Sequence, residues 1–196
     1  MLNLIMGARN GAKTSREEND FYATNPKALD LFISAFDEKL NQNVWENACG
    51  SGHLSECLIK HGHNVLSTDL IDRGYDKMKT TLDFLNADPQ EWHFDGDILT
   101  NPPFKYAMDF VRKGLDIVNT GNRVIMFLKI QFLEGEKRYK YLFKDNPPKY
   151  VYVHTTRQET CRGGDFETYK DSSGSMCFAW FVWEKGYKGD TVLRWI

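Results

Sequence analysis

The run Asp97-Ile98-Leu99-Thr100-Asn101-Pro102-Pro103-Phe104 has the residue types needed to work on a planar amino group. Two prolines freeze the backbone and remove two N–H donors. The Pro102 carbonyl and the Asn101 side-chain oxygen can then both accept hydrogens from one NH2 group. An exocyclic amine on a nucleobase is a poor nucleophile because its lone pair is delocalised into the ring. Two acceptors on its hydrogens push the nitrogen toward tetrahedral geometry and free that pair. Phe104 would stack on the base, which must leave its duplex to reach such a pocket. Asn101, Pro102, Pro103 and Phe104 are therefore the candidate catalytic residues. The plain alternative is a diproline turn that ends a strand.

A second constellation is Glu46-x-Ala48-Cys49-Gly50-Ser51-Gly52, with Asp69 17 residues beyond Gly52. Glycines let the backbone turn sharply and let a ligand approach main-chain N–H groups. An acid ending the next strand can accept two ribose hydroxyl hydrogens, which suits an adenosyl cofactor. Ser55 stands where the dinucleotide pattern has its third glycine, which weighs against a pyrophosphate-bearing cofactor. A merely tight strand-to-helix turn is the plain alternative.

Both turns need strands before them and helices after them. Asn25-Pro26 opens a helix, with Asn as N-cap and Pro at the first helical position. Leu29, Phe32, Ile33 and Phe36 follow as one buried stripe. A short strand over 43–47 leads into the glycine turn. Leu54, Cys57, Leu58 and His61 then mark a helix that Gly62 ends. Strands are expected over 63–70, 81–84, 97–100, 123–128, 150–154 and 178–183, and helices around 107–118 and 134–143. Alternating strands and helices imply an α/β fold: a mostly parallel, seven-stranded, Rossmann-like sheet with one antiparallel strand and helices on both faces. Ligands of such sheets sit beyond the carboxyl ends of the strands, where both turns fall.

The chain has 196 residues, a net charge of -2 and 41% hydrophobic residues, which fits a single packed domain over 21–196 after a mobile arm over 1–20. No separate target-recognition domain is expected. The longest apolar stretch, 178–183, falls far short of the roughly 20 residues of a membrane helix. No secretion signal is read at the N-terminus. The cysteines at 49, 57, 161 and 177 form no C-x-x-C pair and read as reduced thiols of a cytoplasmic protein. Residues 30–100 carry thirteen acids against five bases, a net charge of -8. Residues 121–164 carry nine bases against four acids, a net charge of +5. An acidic half beside a basic half suits a cation on one side and a polyanion on the other; an ordinary solvated surface is the alternative. Lys129, Gln131, Arg157 and Arg162 are candidate substrate contacts, the arginines lying in a loop from about 155 to 175. No metal is expected. Cys49, His53, Cys57 and His61 are spaced by four residues, and a single file along one helix cannot surround an ion. His63, His93 and His154 read as structural.

Phe21-Tyr22-Ala23-Thr24-Asn25-Pro26, the turn at 46–52, Asp69, Asp83-Phe84 and Asn101-Pro102-Pro103-Phe104 stand in an order that resembles the class I S-adenosylmethionine-dependent amino-methyltransferases. The resemblance points to DNA N6-adenine methyltransferases of the kind found in bacteriophages. It implies that Tyr22 and Thr24 lie at the methionine end of the cofactor. Glu46, Ala48, Cys49, Gly50 and Gly52 would wrap its methionyl and ribose portion. Asp69 would bind the ribose hydroxyls, and Asp83 the adenine amine, with Phe84 beside the ring. Asn101, Pro102 and Phe104 would hold the target base. The implied substrate is DNA, with a protein partner or self-association supplying specificity. RNA or a protein amine or amide remains an alternative, as does a non-catalytic nucleic-acid-binding module on the same fold.

Overall fold

The computed structural model describes residues 22–158, 160–162 and 176–196, with backbone alone for 160–162. Among the described residues the strands and longer helices follow in the order β1 Tyr22–Thr24, α1 Pro26–Ala35, β2 Asn43–Glu46, α2 His53–Lys60, β3 Asn64–Asp69, β4 Thr80–Thr81, β5 Asp97–Thr100, α3 Ala107–Ile117, β6 Arg123–Lys129, β7 Tyr150–Val153, β8 Thr160–Arg162, β9 Phe178–Glu184 and β10 Val192–Trp195. The expected N-cap is present: Asn25 Oδ1 accepts from the Lys27 N–H at 3.1 Å, and Pro26 opens α1.

The main sheet has the order β10-β7-β9-β6-β5-β2-β3-β4. β9 runs antiparallel to both its neighbours, and the other pairs are parallel. The Rossmann-like architecture is as expected, but the sheet has eight strands rather than seven. The addition is β10, which pairs with β7 in register Val192 to Tyr150. Its side chains are mostly exposed, so no buried alternation marks it in the sequence. A separate two-stranded ladder joins β1 to β8, with Tyr22 opposite Arg162. The stretch expected as a helix over 134–143 is a short α-helical turn, Glu136–Arg138, running into a π-helical turn, Tyr139–Phe143.

Side chains alternate across the sheet into two cores. On β6, Val124, Met126 and Leu128 face a cluster with Phe110 and Val111 of α3. Ile125 and Phe127 face the opposite cluster with Phe32 of α1 and Leu58 of α2. Helices therefore cover both faces, which is what a parallel sheet buried on both sides requires. At the amino end of β5, the buried Asp97 carboxylate accepts from the Asn41 N–H at 2.8 Å and from Arg123 Nη1 at 3.1 Å. That anchoring leaves the carboxyl edge of the sheet to the candidate site. No helix among the described residues is long and apolar enough to cross a membrane.

Candidate active site

The chain order reverses between β2 and β5, so their carboxyl ends diverge and leave a crevice. A cavity of about 660 Å³ lies there. Of the candidates, Tyr22, Thr24, Glu46, Ala48, Cys49, Asp69, Asp83, Phe84, Asn101 and Pro103 line it. Glu46, Asp69 and Asn101 share one wall because β2, β3 and β5, which lead into them, lie side by side in the sheet.

Asn101 follows β5 directly. Its Nδ2 donates to the Tyr22 carbonyl at 2.7 Å, which ties the diproline turn to β1. Its Oδ1 is buried and has no hydrogen-bond partner among the described residues. Thr24 Oγ1 and both side-chain polar atoms of Asn47 are in the same position. A buried polar atom without a partner costs roughly 1–3 kcal/mol, so several around one cavity mark a place for a polar ligand. Asn47 was not among the sequence candidates. Its signal was its place immediately after the glutamate that ends β2. The 3-10 turn Phe104–Tyr106 closes with the Tyr106 N–H donating to the Pro103 carbonyl at 2.9 Å. It brings Lys105 and Tyr106 to the cavity, again beyond the sequence reading.

Glu46 ends β2 and is 2% exposed. Ser55 Oγ donates to its Oε2 and lies 2.7 Å from Ser67 Oγ. Burial raises the Glu46 carboxyl to about 8, the nearby Asp69 charge adding to the effect against the Ser55 hydrogen bonds. The Cys49 thiol is pushed far above its ordinary value, by burial first and then by the charges of Glu46 and Asp69. It is therefore no thiolate nucleophile at neutral pH.

Asp69 ends β3. Its Oδ2 accepts from the Gly50 N–H at 2.8 Å and its Oδ1 from the Ile71 N–H at 3.0 Å. The glycine turn and the acid are thus one unit, each shaping the other. Asp83 caps the 3-10 turn Phe84–Asn86, and Asn86 Nδ2 donates to its Oδ2 at 2.8 Å. Phe84 is buried against Trp45 and Phe110 while one side reaches the cavity.

Other candidates fall elsewhere. Gly50 and Gly52 shape the turn from behind the cavity wall. Gly52 has φ +81°, and a Cβ there would meet the Tyr75 ring at 2.4 Å. Gly52 is therefore demanded by Tyr75, whose hydroxyl donates to Glu56 Oε1 at 2.7 Å. Gly52→Ala should cost roughly 1–3 kcal/mol or more, read as a drop in the urea midpoint, because it adds left-handed strain to a clash. Tyr75→Ala in the same background should recover part of that loss.

Pro102 is buried within its turn. Phe104 faces a second, shallower concavity of about 170 Å³, together with Lys129 and Gln131. Lys129 Nζ sits 4.8 Å from the Phe104 ring centroid. Arg157 is exposed and its Nη1 is 3.3 Å from Cys177 Sγ, away from both cavities. The Arg162 side chain, the arm over 1–20 and most of the loop over 155–175 lie outside the described residues.

No protein-family model matches the sequence, and no curated protein matches it significantly. Solved structures do. A modification subunit assigned to a type I restriction enzyme of Vibrio vulnificus superposes with a TM-score of 0.62 at 14% identity, over 90% of this chain and 47% of that one. A protein assigned as a class I S-adenosylmethionine-dependent methyltransferase of Listeria monocytogenes gives 0.57 at 13% identity, over 87% and 63%. A protein assigned as an RNA methyltransferase of Pyrococcus horikoshii gives 0.55 at 16% identity, over 81% of each chain. The chain thus spans about half and under two thirds of the length of the first two. At these identities the likeness defines the fold. It is the Rossmann-like fold shared with these methyltransferases, with a crevice at the carboxyl ends of β2, β3 and β5.

Proposed function

We propose that the chain is an S-adenosylmethionine-dependent methyltransferase that methylates an exocyclic amine, N6 of adenine in DNA. The observation that carries this reading is Asn101. Its Nδ2 is pinned to the Tyr22 carbonyl, and its Oδ1 is left buried without a partner beside the cavity. That fixes which end of the amide offers the acceptor. A free acceptor on a rigid diproline corner suits an amine whose lone pair must be localised before it reacts.

The cavity residues fit the cofactor. Glu46 and Asp69 place two acids at the deep wall, a suitable setting for the positive charges of a sulfonium and an ammonium. Thr24 Oγ1 and the Asn47 amide supply donors and acceptors that have no other use among the described residues. Asp83 and Phe84 suit an adenine ring by hydrogen bond and by contact. When bound, the cofactor supplies a methyl group on positively charged sulfur.

Asn101 Oδ1 and the Pro102 carbonyl would accept the amine hydrogens and orient the nitrogen. Phe104, with Lys129 and Gln131, would hold the base from the far side of the turn, and Arg157 and Arg162 would contact phosphate. The raised Cys49 thiol offers no covalent route, so positioning and electrostatics carry the rate. The DNA assignment draws on the Asn-Pro-Pro-Phe motif, the basic stretch over 121–164 and the likeness to a restriction-modification subunit. That subunit also supports a partner chain that supplies target choice.

Incubation with methyl-labelled cofactor and DNA should place label on N6 of adenine, read by mass spectrometry of nucleosides. Label confined to RNA or protein moves the substrate and keeps the class. Calorimetry tests the alternative of a non-catalytic module: the enzyme binds cofactor, and Asp69→Ala weakens binding by roughly 5–150-fold through the loss of about 1–3 kcal/mol. A wild-type chain that ignores the cofactor overturns the enzyme reading.

A further inference from the structure

Where α1 crosses α2, three groups that the reaction does not use converge. His61 Nε2 lies 2.7 Å from Asp30 Oδ1, and Cys57 Sγ donates to the same oxygen at 3.3 Å. The three atoms all lie within 4.8 Å of one another. The four-residue file along α2 cannot surround an ion by itself, but Asp30 comes from the other helix and supplies the missing side. Cys57 forms a buried floor, while the His61 and Asp30 side chains are 32% and 44% exposed, so the cluster opens to solvent.

We propose that Asp30, Cys57 and His61 form a binding site for a divalent transition metal of the zinc type. A thiolate and an imidazole select a borderline-soft ion over magnesium or calcium, and the carboxylate adds a third ligand. Metal bonds of about 2.0–2.3 Å in a tetrahedral arrangement set ligand atoms roughly 3.3–3.8 Å apart. The sulfur–oxygen distance already meets this, the His61–Asp30 pair needs to open by about half an ångström, and the Cys57–His61 pair, within 4.8 Å, needs to close by up to about 1.3 Å. Solvent takes the fourth position. Binding forms metal–sulfur and metal–nitrogen bonds and breaks the S–H bond and the His61 Nε2–H bond that faces Asp30. The thiol proton leaves to solvent, and the imidazole exchanges its Nε2 proton through solvent for one on Nδ1, so it ligates as the neutral tautomer. Asp30 Oδ1 exchanges its two hydrogen bonds for the ion, and no electron is transferred. The ion would staple α1 to α2. Because α1 follows β1 after one residue, it would also hold Tyr22 and Thr24 at the cavity wall. The proposal is independent of the methyltransferase reading.

The test is titration of the metal-free full chain with Zn2+ against a chromophoric chelator, and with Co2+ followed by absorption. A single equivalent should bind, with thiolate-to-cobalt charge-transfer absorption in the near ultraviolet. Cys57→Ser should abolish that absorption; its hydroxyl still donates to Asp30, so the fold has no reason to fail. Asp30→Asn and His61→Ala should each lose more than the roughly 10–100-fold affinity that a mere outer partner costs. Cys177→Ser, at an exposed thiol, should change nothing. Zn2+ should raise the Tm of the wild type and not of Cys57→Ser. Charge-transfer absorption that is absent in the wild type, or that follows Cys177 instead of Cys57, overturns the proposal. So does equal Zn2+ affinity across the wild type and the three ligand variants.

Discussion

Asn101→Ala is expected to lower kcat for methyl transfer by about 10²–10³-fold, the usual cost of removing one preorganised group that meets charge developing in the transition state. Cofactor affinity should change less than about tenfold, because the cofactor is expected to use the β2 and β3 ends of the cavity. The argument rests on an asymmetry within one side chain. The amide nitrogen is committed to the Tyr22 carbonyl, whereas the amide oxygen is buried and uncommitted. Alanine removes both, so part of its effect is a loosened β1. Asn101→Asp separates the two contributions. It keeps an acceptor but presents a carboxylate oxygen to the Tyr22 carbonyl, so β1 loosens while the acceptor survives. Asp should therefore retain more kcat than Ala. Single-turnover rates and calorimetric Kd values for both variants decide the matter. An alanine variant that turns over within about fivefold of the wild type would remove Asn101 from the chemistry.

The sequence made the central sheet legible because its signals are local. Asn25-Pro26 caps α1 through atoms two residues apart, and the stripe of Leu29 and Phe32 repeats at the helical period. Arg123–Lys129 is long and apolar enough to be a strand buried on both faces. The glycine turn, Asp69 and Asn101 were visible as types and spacings, and strand order alone brings them together. What escaped is non-local or without pattern. The β1–β8 ladder joins three residues to three others some 138 positions away, too few for a period to show. β10 lies exposed at the sheet edge and carries no buried alternation. Asn47 looks like any polar residue leaving a strand until the cavity surrounds it. The need for glycine at 52 belongs to Tyr75, a residue 23 positions later, rather than to a ligand. Asp30 joined Cys57 and His61 only once α1 and α2 were packed together.

Glu46→Gln should alter both stability and binding, and pH separates the effects. Burial, above all, pushes the folded carboxyl up from its ordinary 4.5 to about 8. Between those two values the native state holds a proton that the unfolded chain has released. Its contribution to stability is thus full below about pH 4.5 and lost as pH rises through 8. Gln cannot ionise. Its variant should match the wild type in acid and exceed it by a few kcal/mol above pH 8, a Tm gain of roughly 10 °C for a chain of this size. Ligand binding should run the other way. A cationic ligand group near Glu46 favours the carboxylate, so binding expels the proton. Wild-type affinity should therefore rise by up to about tenfold per pH unit below 8, with uptake of the released proton by buffer seen in calorimetry. The Gln variant should bind more weakly at pH 8 and show neither the slope nor the proton release. A wild-type Kd that is flat from pH 6 to about 8 would mean that no positive charge of the ligand lies near Glu46. The acid at the end of β2 would then be a packing group held by Ser55, and the cofactor's charged end would have to be sought beside Asp69 instead.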